Sequence, residues 1–255
     1  MRSASAQTDT AFEDPEAFSI EDEKFDLIYP AQIRKLSSVF WTPVAVAAEA
    51  AKLLVTDRAC HAVGLAKAGT RVLDIGCGPG KFCLVAASLT DGRFTGVEQR
   101  SDLVAAARQA AKDLCLPRRS LGEGGTHVEF LHGNVMDVDF ADYDAFYLFN
   151  PFEENMFNGH KIDRAVPLSP ELFKRYTRHV STQLGTKPLG TRVVTYLGYA
   201  DDIPACYDCE STLFNDDLKL WIKRREFDRN IEQLSLRVSR SHRSSSGWEA
   251  PRQSH

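Results

Sequence analysis

The sequence predicts a doubly wound α/β fold: a mostly parallel, seven-stranded sheet with helices on both faces. Three observations carry this expectation. Short apolar runs with strand character alternate with amphipathic helical stretches along residues 43–198, the pattern of a parallel sheet built from βαβ units. The first such run ends in three glycines, Gly76, Gly78 and Gly80, the tight strand-to-helix turn common in this architecture. Near the C-terminus two strand-like runs are separated only by Asn-Asp-Asp, which is hairpin chemistry and adds an antiparallel strand.

The elements follow in order. Thr42-Pro43 is a helix start, an N-cap followed by proline at the first helical position. The helix after it gathers Val46, Ala50, Leu53 and Leu54 on one face. Arg71–Ile75 reads as a buried strand, Phe82–Leu89 as a helix and Arg93–Glu98 as the second strand. Ser101 is expected to cap a helix bearing Leu103, Ala107, Ala110 and Leu114. Residues 117–126 have loop composition. Val128–His132 and Asp144–Asn150 are the third and fourth strands. Ser169-Pro170 opens a helix with Leu172, Phe173, Tyr176 and Val180 in one stripe, and Arg192–Gly198 is the fifth strand. Tyr207–Phe214 and Leu218–Arg224 are the hairpin strands, and the basic run Lys223-Arg224-Arg225 is expected at the surface. Residues 1–24 are expected to form an acidic arm. Residues 25–225 are expected to form the domain, with a helical cap region over 25–69 and the core over 70–225. Residues 226–255 read as a polar tail.

Composition narrows the functional classes. The 255 residues suit one sizeable α/β domain. A net charge of −4 gives no general pull toward nucleic acid or an anionic membrane. No apolar run approaches the roughly 20 residues of a membrane helix, and the N-terminus carries no apolar signal segment. Six cysteines lying mostly in apolar segments read as reduced thiols, so a cytoplasmic protein is expected. Cys206 and Cys209 form a lone pair without histidine at zinc spacing, and no metal site is expected.

The glycine loop separates cofactors. A dinucleotide fingerprint needs its third glycine at position 81, which is Lys81. Here the spacing is G-x-G-x-G, and Asp74 stands two residues ahead of it. A carboxylate there repels a pyrophosphate but suits a ligand with a cationic end, and S-adenosylmethionine has an ammonium and a sulfonium. Glu98 ends the second strand, where a carboxylate can accept hydrogen bonds from both ribose hydroxyls. H-G-N-V-M-D, ending at Asp137, closes the third strand, where residues would flank an adenine. Three glycines alone would also fit a plain tight turn.

With these motifs in order, V-L-D-I-G-C-G-P-G, T-G-V-E and G-N-V-M-D, the chain from about Phe25 to Arg225 resembles the class I, seven-strand S-adenosylmethionine-dependent methyltransferases. The resemblance implies that Asp74, Gly76, Gly78 and Gly80 cradle the amino-acid part of S-adenosylmethionine. It also implies that Glu98 binds the ribose, and that Asn134, Val135 and Asp137 contact the adenine.

Y-L-F-N-P-F-E-E-N, Tyr147 to Asn155, follows the fourth strand. Asn150 can accept a hydrogen bond from an amine, and Phe152 can lie over the acceptor or a cation. A strand end with a core phenylalanine is the plainer alternative. The stretch is similar to the Asn-Pro-Pro-aromatic motif of amine methyltransferases, but lacks one proline. It is also similar to the Asn-Asn-Phe-x-Phe motif of seven-strand histone-lysine methyltransferases, but Glu154 stands where that motif has its second phenylalanine. Both point to a nitrogen acceptor. The expected site therefore has Asn150 and Phe152 on the acceptor side, with an amine of a protein or small molecule as partner. Glu153 and Glu154 are candidate bases, and Phe40, Trp41 and Thr42 a candidate lid. An RNA or DNA methyltransferase and a non-catalytic S-adenosylmethionine-binding module are the alternatives.

Overall fold

The computed structural model describes residues 20–55, 69–114, 128–156, 161–197 and 203–228. The expected loop over 117–126, most of the acidic arm and most of the polar tail lie outside the described residues.

Seven strands form one sheet in the order β3-β2-β1-β4-β5-β7-β6. They are β1 (Arg71–Ile75), β2 (Arg93–Glu98), β3 (Val128–His132), β4 (Ala145–Phe149), β5 (Arg192–Tyr196), β6 (Tyr207–Leu213) and β7 (Leu218–Lys223). β1 to β5 pair in parallel. β7 runs antiparallel to both β5 and β6, as the hairpin signal requires. The turn holds Phe214, Asn215 and Asp216 in the left-handed region, with φ of 52°, 54° and 70°, conformations that asparagine and aspartate tolerate best. The strand order reverses between β1 and β4, and ligands bind outside the carboxyl ends of strands at such a switch point.

The helices are α1 (Asp22–Phe25), α2 (Ala31–Arg34), α3 (Ser37–Phe40), α4 (Val44–Val55), α5 (Lys81–Leu89), α6 (Ser101–Asp113) and α7 (Pro170–Gly185). On one face α4, α5 and α6 bury Ala47, Ala50, Leu84, Val85 and Ala107 against Val72, Phe94, Tyr147 and Val194. On the other, α7 buries Tyr176, Val180 and Leu184 against Leu73, Ile75, Phe146, Leu148 and Val193. Alternate residues of β1 and β4 thus feed opposite cores, as the two-residue period of a strand requires. The apolar stretch Ser37–Val55 has a mean hydropathy of 1.4 over a window that is half buried. It is broken at Trp41–Pro43 between α3 and α4, and the α4 alanines pack on the sheet, so it is a core segment.

Several helix ends differ from expectation. Ser169 does cap α7, its hydroxyl accepting from the Leu172 N–H at 3.2 Å. Ser101 is instead the first residue of α6, with Arg100 in the cap position. The Thr42 hydroxyl is hydrogen-bonded to the Tyr147 hydroxyl at 3.0 Å. The N-terminus of α4 is served by the Asp22 carboxylate, which accepts from the Val44 N–H at 2.9 Å. Asp22 also pairs with the buried Lys81 ammonium, which meets Asp26 at 2.7 Å. Lys81 thus fastens α1, which lies partly ahead of Phe25, to the first turn of α5. Lys223 is likewise buried. Its ammonium donates to the carbonyls of Gly185 and Lys187, capping the C-terminus of α7. Arg224 and Arg225 are the surface members of that basic run, paired with Glu210 and Asp208.

Candidate active site at the carboxyl ends of the strands

Asp74 is the fourth residue of β1 and is only 3% exposed. Its carboxylate oxygen Oδ2 accepts a weak hydrogen bond from the Cys83 thiol at 3.4 Å. Desolvation pushes its pKa up to about 7; the Cys83 hydrogen bond opposes the rise and the nearby Glu98 charge adds to it. A carboxyl group in this state is poised to ionise when a cation arrives.

The glycine loop is built from within. The N–H groups of Gly76 and Cys77 both donate to the Val97 carbonyl, at 2.9 and 3.1 Å. The Gly78 N–H donates to Glu98 Oε2 at 3.2 Å, and the Gly80 N–H to the Cys77 carbonyl at 2.9 Å. Position 79 is proline, without a donor. The loop's own donors are thus engaged, and Asp74 is left beneath it. Such a loop suits a cationic group and is a poor cradle for phosphate, which needs free N–H groups.

The glycines are required by protein packing as well as by backbone angle. A Cβ on Gly76 would stand 2.8 Å from Pro151, and one on Gly78 would stand 2.6 Å from the Trp41 ring. A Cβ on Gly80 would stand 2.4 Å from Phe130. All three glycines have positive φ. Gly80 therefore lets α5 and β3 approach, and its space is filled by the core. Trp41 lies over the glycine loop, buried and held by a hydrogen bond from Nε1 to the Ile33 carbonyl at 3.1 Å. Of the three residues of the expected lid, Trp41 is the one whose ring meets the glycine loop.

Glu98 ends β2 and is 6% exposed. Its Oε1 accepts from the Arg100 N–H at 2.9 Å and its Oε2 from the Gly78 N–H. Burial raises its pKa, and the Arg100 N–H, the Arg100 charge and the Gly78 N–H oppose the rise. Each oxygen keeps a lone pair for a further donor, as binding two ribose hydroxyls requires.

At the end of β3 the side chains serve the protein itself. Asn134 Oδ1 accepts from the Met136 N–H at 3.0 Å, and Nδ2 donates to the Tyr176 hydroxyl at 2.9 Å. Val135 is buried in the core beneath α7. Asp137 is exposed. Of the three, Asn134 is engaged by the protein and Val135 has no polar side chain, so the Asp137 carboxylate and the backbone are what this strand end offers a ligand.

At the end of β4, Asn150 has a φ of 40°, a left-handed conformation that asparagine tolerates. Its Nδ2 donates to Glu153 Oε2 at 3.0 Å. This fixes the amide with Oδ1 as its remaining acceptor. Phe152 corrects the sequence expectation. The ring is 8% exposed and packs 5.3 Å from Tyr176, within the core between sheet and α7. The ring also lines the cavity that Asn150, Pro151 and Glu153 line. Of the two candidate bases, Glu154 binds Arg100 at 2.9 Å and the Ile162 N–H at 2.7 Å. Glu153 alone stays beside Asn150. An aromatic pair missed in the sequence lies here too: Phe149 and Tyr196, at the ends of β4 and β5, have ring centroids 4.9 Å apart. Nothing in their spacing marks them; only the parallel register brings them together.

Residues 66–152 match the family model for a methyltransferase domain. No curated protein matches the chain. Among solved structures, the chain is similar to an RNA methyltransferase from Salinibacter ruber in complex with S-adenosyl-L-homocysteine. That match has 18% identity and a TM-score of 0.42, and it covers 66% of this chain and 92% of that one. It is also similar to TrmN from Thermus thermophilus, at 18% identity and a TM-score of 0.48, over 74% of this chain and 51% of that one. A third is the bifunctional kinase-methyltransferase WbdD, at 12% identity and 0.49, over 74% and 42%. At these values the structural likenesses carry no further argument; the assignment rests on the family match, the sheet order and the loop chemistry.

Proposed function

We propose that this chain, a class I S-adenosylmethionine-dependent methyltransferase by its matched domain and sheet order, delivers the methyl group to an amine nitrogen of a protein side chain or small molecule. The bound cofactor supplies a methyl group already activated on a sulfonium. In this reading Asp74 holds the ammonium and Glu98 the ribose hydroxyls. Gly76, Gly78 and Gly80 shape the loop between them, and Trp41 excludes water above it.

The observation that carries the nitrogen acceptor is the pinned amide of Asn150. Because its N–H is engaged by Glu153, its Oδ1 is left to accept an N–H from the incoming amine. That hydrogen bond turns the nitrogen lone pair toward the methyl. Alignment of this kind can supply roughly 7–11 kcal/mol of the barrier. Glu153, one hydrogen bond away, is the group nearest to take up a proton that the amine releases. The acid beside Asn150, Glu153, favours a cationic or neutral amine over a phosphate-bearing acceptor.

The test is incubation with methyl-labelled S-adenosylmethionine and a cell extract, divided among protease, nuclease and small-molecule filtration. Label released by protease or filtration supports the reading. Label released by nuclease moves the acceptor to RNA or DNA.

A further inference from the structure

The two halves of the site are joined by a side chain that neither the motifs nor the family match singles out. Arg100, two residues past Glu98, is 6% exposed. Its N–H donates to Glu98 Oε1, and its guanidinium nitrogen NH1 stands 3.7 Å from the same oxygen. NH2 donates to Glu154 Oε2 at 2.9 Å, and Nε to Asp163 Oδ1 at 3.1 Å. Both outer acids are themselves tied to backbone. Glu154 Oε1 accepts from the Ile162 N–H at 2.7 Å, and Asp163 Oδ1 from the Ala165 N–H at 2.8 Å. Three carboxylates converge on one cation, and the planar fork of arginine can serve all three at once.

We infer that Arg100 is a positioning residue that couples cofactor binding to the hold on Glu154 and Asp163 on the acceptor side. It keeps Glu98 charged and aimed, and it fastens Glu154 and Asp163, which follow Asn150, to the same point. This rests on the reading of Glu98 as the ribose carboxylate. Arg100 cannot lose its charge at any working pH, so the latch responds to what Glu98 holds. A ligand drawing on Glu98 steadies the fork, and the fork steadies the segment. By linkage the effect is reciprocal.

The groups that face Glu98 are Asp74 on β1, Cys77 and the Gly78 N–H in the loop, His132 beside it on β3, and Arg100. Glu154 and Asp163 reach it only through Arg100. Burial raises the Glu98 pKa and Arg100 opposes the rise. Removing the cation therefore lets Glu98 protonate at higher pH.

The experiment titrates the full chain with S-adenosylhomocysteine by calorimetry from pH 5 to 9, for wild type, Arg100→Ala and Arg100→Lys. In parallel, amide exchange is followed at Ile162 and Ala165 with and without the ligand. Wild type is expected to slow exchange at both amides when the ligand binds. Arg100→Ala is expected to bind about tenfold more weakly, the weight of about one hydrogen bond to a charged group. The part of its acid limb due to Glu98 moves to higher pH, while the limb due to Asp74 is common to both proteins. The ligand no longer protects the two amides. Arg100→Lys recovers the limb but not the protection, because it keeps the charge without the fork. A folded Arg100→Ala with wild-type affinity, limb and protection overturns the inference. So does a uniform loss of affinity with limb and protection intact, which is what a merely structural arginine gives. If Arg100→Ala does not fold, Glu154→Gln combined with Asp163→Asn takes its place. It is expected to keep affinity within about threefold while losing protection, and wild-type protection in it overturns the coupling. A wild type that does not bind S-adenosylhomocysteine at all sinks the cofactor reading instead, a result distinct from any of these.

Discussion

Replacing Asp74 by asparagine should stabilise the protein while damaging its function. Burial moves the Asp74 pKa from 3.8 to about 7. A pKa raised in the folded state means that the fold binds the proton more tightly than the unfolded chain does. The stabilisation this gives is complete below about pH 3.8 and is lost as pH rises through 7. Across that window of 3.2 units, at about 1.36 kcal/mol per unit, the loss is about 4 kcal/mol. The group is almost wholly buried, so solvent screening takes little from this figure. Asparagine has nearly the same shape, carries no charge at any pH, and keeps an oxygen for the Cys83 thiol. Asp74→Asn should therefore be more stable than wild type by about 4 kcal/mol at pH 8, about 2 kcal/mol at pH 5 and nothing below pH 4. Urea denaturation of both proteins at pH 4, 5, 6, 7 and 8 reads this directly. A variant that is no more stable at pH 8, or a difference that does not change with pH, would refute the reasoning. The same variant should bind S-adenosylhomocysteine at least about tenfold more weakly, having lost a charged partner for the ammonium.

Other consequences are equally specific. In wild type, affinity for the cofactor should fall about tenfold per pH unit below pH 7, because Asp74 must give up a proton to bind; calorimetry in buffers of different ionisation enthalpy should count one proton released. Glu98→Ala should weaken binding by about 1.5–3 kcal/mol. Glu98→Gln should be no milder, because its amide N–H₂ must face the N–H of either Arg100 or Gly78, and a ligand titration of the two variants compares them. Asn150→Gly, which accepts the left-handed backbone without strain, should keep cofactor affinity within a few-fold and lower methyl transfer about a hundredfold in the labelled-methyl assay, the pattern of an interaction made chiefly in the transition state. Phe152→Ala should act first on stability, costing about 3–5 kcal/mol in denaturant unfolding as a core truncation; an unaltered midpoint would return the ring to the acceptor site.

The scaffold was legible because its signals are local. The inner parallel strands β1 and β4 are buried on both faces and so read as apolar runs. Asp74 and Glu98 stand out because charged residues at the ends of such runs oppose burial. The contacts that complete the site have no local signature. Arg100 reaches partners 54 and 63 residues away. Trp41 and Pro151 occupy the space of Gly78 and Gly76 from distant parts of the chain. Thr42 looks like a helix cap, yet Asp22 does that work from twenty-two residues upstream. Phe152 fits an acceptor motif by type and order, yet its ring is buried against Tyr176, a contact across 24 residues of chain. Lys81 was informative only as a missing glycine; its burial against Asp22 and Asp26 is a tertiary fact.

The central claim is methyl transfer from S-adenosylmethionine to an amine nitrogen aligned by Asn150. It is tested most directly by hydrolysing the labelled product of the wild-type reaction and identifying the methylated atom, with Asn150→Gly run beside it. The account predicts label in an N-methyl amine that survives base, and about a hundredfold less of it from the variant. Label released as methanol by base, label in an O-methyl ether, or equal labelling by the variant would contradict it.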